Sequence, residues 1–374
     1  MRVLRAGRYN IDMIEALDSQ PGLDAIGWRA GTPRPESMQP GWRVARVIAQ
    51  HRNGYRVHDG AAESVARPAP RFLRRGADPS ERPAVGDFAL IDRADPAVIH
   101  ELLPRRTLLV RAAAGERYQR QVIAANVDVV FVLMGLDGDF NPRRIERYLA
   151  LIQGSGAVPV IVLTKADKVE DEAKYTMLGE LRALLPGQVD MQAINAKDAV
   201  SLAPLAGYLG RGNTVVLVGS SGAGKSTLTN TLLGRERQST SDVRAHDSRG
   251  RHTTTYRALL TLPSGACLID TPGMRELKLT GEENLIAASF DDIDALAQQC
   301  RFTDCAHGNE PGCAVRAALE AGALDPARWE SFLKLRDELA AASDTLAVQL
   351  ERKANARVAN KALGKRLIDK YGRR

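Results

Sequence analysis

Two stretches, Val158–Leu163 and Thr214–Val218, are largely apolar and rich in β-branched residues, with no polar alternation. That pattern belongs to parallel strands covered on both faces. Ala266–Ile269 is a shorter run of the same kind, and a further strand begins near Val127. Arg143–Gln153 instead spaces its apolar residues for a helix, which Gly154 closes. Strand and helix alternating over 121–280 predict an α/β domain on a parallel sheet. Upstream, from Gly41 to Val110, short strand-like runs alternate with turns: Trp42–Gln50, Tyr55–Val57, Phe88–Ile91 and Val98–Leu103. By pattern this is a small β domain. Residues 1–40 are punctuated by Pro and Gly, with one short helix expected near Ile11–Leu17. Residues 281–374 read as helical around a Cys/His loop, Asp325-Pro326 opening a long helix. No apolar run approaches the roughly 18 residues of a membrane span.

The strand Thr214–Val218 runs into Gly219-Ser220-Ser221-Gly222-Ala223-Gly224-Lys225-Ser226-Thr227, which fits the phosphate-loop pattern G-x-x-x-x-G-K-[ST]. Its glycines let backbone N–H groups wrap a β-phosphate, Lys225 reaches the β and γ oxygens, and Ser226 offers its hydroxyl to Mg²⁺. Val158–Leu163 ends in Thr164-Lys165-Ala166-Asp167. A carboxylate at Asp167 accepts hydrogen bonds from the N1–H and exocyclic amine of guanine, donors that adenine does not present in that arrangement. Lys165 would lay its methylene stem along the base with its amine near the loop. Asn195-Ala196-Lys197 would brace the guanine O6 through backbone N–H, although Ser is usual at its first position.

After the phosphate loop, Gly250-Arg-His-Thr-Thr-Thr255 reads as a first switch whose Thr254, or else Thr253, completes Mg²⁺ coordination. The strand Ala266–Ile269 ends in Asp270-Thr-Pro-Gly273, where Asp270 holds Mg²⁺ and the Gly273 N–H senses the γ-phosphate. The base motif precedes the phosphate loop, whereas a small GTPase has them in the reverse order. Joining the close termini of a compact domain and cutting elsewhere preserves every strand-to-loop contact, so the order implies a circular permutation. Met274 stands where GTPases often carry a water-orienting Gln. Intrinsic turnover is therefore expected to be slow, on the order of 10⁻⁴ to 10⁻² per second.

Cys300, Cys305, His307 and Cys313 lie within fourteen residues, as C-x4-C-x-H-x5-C. Three thiolates and an imidazole make a closed, structural zinc set, and three cysteines cannot all pair as disulfides. The fourth cysteine, Cys267, lies in an apolar strand and reads as a small buried hydrophobe. The net charge of +7 is uneven: residues 351–374 carry nine Lys/Arg against two acids, residues 41–120 fifteen against nine, and residues 121–350 sum to −6. Two basic ends around an acidic core point to a phosphate-rich partner, RNA first.

The chain resembles the ribosome small-subunit-dependent GTPase A (RsgA) family in Ala124-Ala-Asn-Val-Asp128, Thr164–Asp167, the phosphate loop, Gly250–Thr255, Asp270–Glu276 and the cysteine cluster. The resemblance implies a permuted P-loop GTPase domain at 113–280, an OB-type barrel at 41–112 and a zinc-binding helical domain at 281–350. An extension at 1–40 and a basic tail at 351–374 complete the chain. It also suggests His252, inside the first switch, as the group that positions the attacking water, with Lys225 and Thr254 sharing the chemistry. The expected function is a cytoplasmic, monomeric GTP-hydrolysing factor that binds GTP or GDP and assists late maturation of the small ribosomal subunit, touching its rRNA and no membrane. Two other classes stay open: a GTPase acting at an anionic surface, and an RNA-binding adaptor that holds nucleotide with little turnover.

Overall fold

A computed structural model describes residues 22–29, 32, 38–51, 54–74, 78–112, 120–185, 189–235, 257–270, 290–308, 310–326, 328–334 and 336–337. The chain divides into two units: Met1–Val110 with Val122–Leu277, and Arg111–Gln121 with Lys278–Arg374.

In the first unit, β1 (Arg43–His51), β2 (Gly54–His58), β3 (Glu63–Pro68), β4 (Phe88–Ile91) and β5 (Ala97–Leu102) run in the order β1-β2-β3-β5-β4, and β4 returns to β1. This closed five-stranded barrel has the strand number of an OB fold. Ala45, Val47, Val57, Ala66, Ile91 and Ile99 share its interior core. β3 is the strand that the sequence pattern does not announce, because Ala66 is its one fully buried position and its other residues are at least partly open. β1 is buried without interruption from Val44 to Ala49. Its second face is covered by the N-terminal turn, where Leu23, Ile26 and Trp28 pack on Val44, Phe88 and Leu90.

β6 (Leu108–Ala112) and β7 (Arg120–Ala125) pair as a ribbon. The second part of the unit holds β8 (Val129–Gly135), α1 (Pro142–Gln153), β9 (Val158–Thr164), α2 (Asp171–Leu184), β10 (Asp190–Ala193), β11 (Thr214–Gly219), α3 (Lys225–Leu233), β12 (Arg257–Thr261) and β13 (Cys267–Asp270). β10-β9-β8-β11-β13 are parallel neighbours, with β12 antiparallel beside β13. β8 and β11 are buried at every position, as unbroken apolar runs require. α1 starts where Asn141 accepts a hydrogen bond from the Arg144 N–H at 3.2 Å, with Pro in its first turn.

The barrel and the α/β sheet are one continuous sheet, since β12 also pairs with β1, Ala49 opposite Ala258. Beside this seam Arg46 is fully buried. Its guanidinium donates to the carbonyls of Ile26 at 2.6 Å, Gly86 at 3.1 Å and Asn126 at 3.3 Å, and lies over the Phe88 ring. Burial lowers its pKa from the usual value, while the charges of Asp128 and Asp87 work the other way. Asn126, with φ of 54°, donates to the same Gly86 carbonyl and accepts from the Arg106 N–H. Asp128 accepts from the Thr214 N–H at 2.7 Å and meets Arg29 and Arg106. The segment Ala124–Asp128 is thus a junction between modules. Arg105, too, faces inward, bound through two nitrogens to the buried Asp87 at 2.7 Å. Arg46 and Arg105 therefore add nothing to an outward basic face, although both count toward the positive balance of 41–120.

In the second unit α4 (Asp291–Ala297) and α5 (Ala314–Glu320) flank the cysteine loop, and helical residues recur from 326 to 337. Arg328 binds both oxygens of Asp292, at 2.6 and 2.7 Å, and lies over Phe290. Trp329 stacks on Phe332, which meets Phe290 edge-on. Among the described residues, no helix is long and apolar enough to cross a membrane. Ile11–Leu17 and 351–374 lie outside the described residues.

Candidate nucleotide site and metal cluster

β9, β8, β11 and β13 lie side by side and parallel, so the residues that follow them gather at one edge of the sheet, where α/β folds bind ligands. The phosphate loop leaves β11 at Gly219, whose φ of 148° and position against the Leu133 carbonyl exclude any side chain: a Cβ would sit 2.4 Å from that oxygen. Gly222 and Gly224 also have positive φ, 85° and 88°. Gly224 precedes α3 with no side-chain cap, which leaves the first N–H groups of the helix for an anion. Lys225 Nζ donates to the Gly219 carbonyl at 2.8 Å and to that of Ser220, so its amine is held over the loop. Ser221 and Gly222 are exposed, Ala223 is buried, and Ser226 and Thr227 are half-buried in the first turn of α3.

Thr164 at the end of β9 is buried and donates its hydroxyl to the Ala223 carbonyl at 2.9 Å, 59 residues along the chain. What it offers the pocket is the placement of the phosphate loop against the base segment. Lys165 follows with φ of 62°, its Nζ 2.6 Å from Asp137. Asp167 is exposed in the short turn Ala166–Lys168, with no partner for its carboxylate among the described residues. The Ala166 N–H donates to the Ile194 carbonyl at 3.1 Å, which draws Asn195–Lys197 alongside. There the Asn195 N–H goes to Ser201 Oγ and the Lys197 N–H to Asn195 Oδ1, at 2.8 and 3.0 Å. The Ala196 N–H is left without a partner among the described residues. Guanine presents N–H donors that suit a carboxylate such as Asp167 and a carbonyl that suits an N–H such as that of Ala196, and the Ala166–Ile194 bond joins the two segments that carry them.

Asp270 ends β13, half-buried, two strands from β8 and next to β11. Its carboxylate and the Ser226 hydroxyl are hard oxygen donors of the kind Mg²⁺ takes. His252, Thr253, Thr254, Gly273 and Met274 lie outside the described residues. Asp137 and Asp139, missed by motif reading, border both motifs; they come from a loop that no spacing pattern singles out.

In the second unit the sulfurs of Cys300, Cys305 and Cys313 and a ring nitrogen of His307 lie within 4.8 Å of one another. His307 Nδ1 is 3.6 Å from the sulfurs of both Cys300 and Cys313, which stand 4.0 Å apart. Those edges suit a tetrahedron around an ion with bonds of about 2.3 Å to sulfur and 2.0 Å to nitrogen, and they are far too long for disulfides. His307 is folded inward by a left-handed backbone, φ 60°, and Cys313 also accepts from the Arg316 N–H at the start of α5. The cluster fits a metal ion with all four positions filled by protein.

The sequence model of the RsgA GTPase family matches residues 102–280. The chain is 53% identical to the small ribosomal subunit biogenesis GTPase RsgA of Xanthomonas axonopodis pv. citri, over 96% of this chain and all of that one. With the protein of the same description from Xanthomonas euvesicatoria pv. vesicatoria the identity is 54%, over 95% and 98% of the two chains. Among solved structures, YjeQ from Thermotoga maritima aligns with a TM-score of 0.57 and 26% identity, over 80% of this chain and 98% of that one. YloQ, a circularly permuted GTPase, shares the fold at 22% identity and a TM-score of 0.55, over 83% and 98%. Near-complete coverage at more than half identity, on a permuted P-loop fold, makes this chain a member of the RsgA GTPase family.

Proposed function

We propose that the chain binds and hydrolyses GTP and, in doing so, assists late maturation of the small ribosomal subunit. What supports the GTP reading is that the Asp167 carboxylate and the Ala196 N–H, both on segments following the sheet edge that carries the phosphate loop, have no partner among the described residues. The relatives named as small-subunit biogenesis GTPases carry the choice of partner. In this reading Thr164–Asp167 and Asn195–Lys197 surround the base. Gly219–Thr227 and the Gly273 N–H hold the phosphates, and Ser226, Asp270 and Thr254 ligate Mg²⁺. Mg²⁺ held by these residues would supply positive charge to the phosphates. Lys225 adds a second positive charge there, and His252 orients the water that Met274 cannot. The metal of Cys300, Cys305, His307 and Cys313 is zinc, with a structural role. The modules are an extension at 1–40, the barrel at 41–112, the GTPase domain at 113–280, the zinc domain at 281–350 and an rRNA-binding tail at 351–374, and the chain works as a monomer in the cytoplasm.

The test is GTP hydrolysis by the purified protein alone and with small subunits, large subunits or anionic vesicles. Slow basal turnover, raised only by small subunits, is expected. Stimulation by vesicles points instead to a surface GTPase, and binding without stimulated turnover points to an adaptor. In the stimulated assay His252→Ala is expected to lower turnover by about 10²-fold and leave GTP affinity near that of the wild type.

A further inference from the structure

The loop Leu136–Asn141, between β8 and α1, belongs to no nucleotide motif, yet it holds two of them. Asp137 Oδ2 accepts a hydrogen bond from Lys165 Nζ at 2.6 Å, and Asp139 Oδ2 accepts one from Ser220 Oγ at 2.5 Å. Lys165 is the second residue of the base segment, and Ser220 is the second residue of the phosphate loop. The carboxylates are themselves fixed: Asp139 Oδ1 accepts from Arg144 at 2.5 Å, and Asp137 Oδ1 accepts from the Asp139 N–H at 3.3 Å. The backbone is shaped around them, since a Cβ on Gly135 would lie 2.4 Å from Asp137 Oδ1 and 3.2 Å from Lys165 Nζ.

Capping of α1 does not explain these acids, because Asn141 already performs it. Nor do they attract a nucleotide by charge, since two carboxylates beside a polyphosphate repel it. Lys165 and Arg144 offset that charge, which leaves geometry as their contribution. Burial pushes the Asp137 carboxyl up, but the Lys165 hydrogen bond and charge bring it below the ordinary range, so it is ionised at neutral pH. Lys165 sits in a left-handed conformation that an L residue adopts only when its surroundings hold it there. Its tie to Asp137 is one such constraint, and the Ala166 bond to Ile194 is another.

We propose that Asp137 and Asp139 are positioning residues for the nucleotide: Asp137 sets the Lys165 stem against the base, and Asp139 holds the front of the phosphate loop through Ser220. One loop thereby joins the base end and the phosphate end of the pocket into a preformed frame, which reduces the ordering cost of binding. The inference rests on the GTP reading above. Asp139 is the more shielded of the two, 16% exposed against 35% for Asp137, so its bond is less weakened by solvent and its removal has the larger effect.

The experiment follows fluorescent GDP release from the full chain by stopped flow. The variants are Asp137→Ala, Asp139→Ala, Asp139→Asn, Lys165→Ala, Ser220→Ala and the doubles Asp137→Ala/Lys165→Ala and Asp139→Ala/Ser220→Ala. Asp139→Ala is expected to speed release roughly tenfold and Asp137→Ala somewhat less, within the usual range of contact couplings. Each double is expected to release GDP no faster than the faster-releasing of its two single variants. Asp139→Asn, which keeps an acceptor for the Ser220 hydroxyl, restores most of the wild-type rate, and nucleotide-free melting temperatures stay together. Additive doubles, or unchanged release in Asp139→Ala while the wild type binds GDP, overturn the positioning role. A wild type that fails to bind GDP, or a Lys225→Ala variant that binds it equally well, overturns the underlying GTP reading instead.

Discussion

Gln50 in the barrel stands directly opposite Arg257, the first residue of β12, in the antiparallel ladder that joins the two sheets. Residues 250–255, the expected first switch, end two positions before Arg257. Barrel and nucleotide domain therefore share hydrogen bonds at the start of β12, the strand that follows the expected first switch. Arg46, buried next to this seam, ties three separate carbonyls.

The seam predicts one cooperative transition for the first unit, in which barrel unfolding and loss of bound GDP coincide on heating. Arg46→Met leaves buried carbonyls without donors and is expected to cost about 3–5 kcal/mol. For a unit of this size that lowers Tm by on the order of 10 °C. Calorimetry with parallel detection of GDP release checks it, and separate barrel and nucleotide-domain transitions would refute the shared seam.

Asp167→Asn is expected to weaken GTP binding by about 2–4 kcal/mol, the scale of lost charge-assisted hydrogen bonds to guanine. Because Asp167 is exposed and its carboxylate holds no neighbour among the described residues, Tm should not move. Xanthine carries a carbonyl where guanine has its amine, so the variant is expected to gain relative affinity for XTP. Competition among GTP, ATP and XTP measures this directly, and an unchanged GTP preference would remove Asp167 as the base reader.

Purified protein is expected to hold about one zinc per chain. Cys305→Ser, or a strong chelator, should release it and loosen the second unit, because metal binding and local folding share one free energy. GDP affinity should survive, since all four ligands lie in the unit that lacks the phosphate loop. Elemental analysis paired with hydrogen exchange over 290–337 reads both effects. Metal-free protein with unchanged protection there would count against the site.

Residues 351–374 carry nine basic residues and two acids. Removing them is expected to weaken small-subunit binding and flatten its dependence on log salt, because phosphate contacts release counterions. Basal GTP turnover should not change. Filter binding at several salt concentrations gives the slope, and an identical slope in the truncated protein would exclude the tail as an RNA contact.

The local chemistry was legible in the chain. Gly219–Thr227 follows an apolar strand and opens a helix, so strand, loop and helix are specified by adjacent residues, and Thr164–Asp167 follows its strand in the same way. The four zinc-type ligands lie within fourteen positions, and short loops bring such groups together with little entropy cost. Unbroken apolar runs foretold the buried strands β9 and β11, a strand was expected near Val127 where β8 begins at Val129, and β3 stayed hidden because one buried alanine leaves no pattern. Arg46 and Arg105 read as surface charge, since sequence cannot distinguish a solvated guanidinium from one that binds buried carbonyls or a buried aspartate. Nothing near Asp139 signals that it will meet a serine 81 residues away. Likewise, nothing in β1 signals that its far end will pair with β12. Short-range residue order determined which groups are present and what chemistry they can do. Only the tertiary structure decided which distant groups share one pocket, because those contacts form when burial of the whole sheet, not any local preference, repays the entropy of bringing them together.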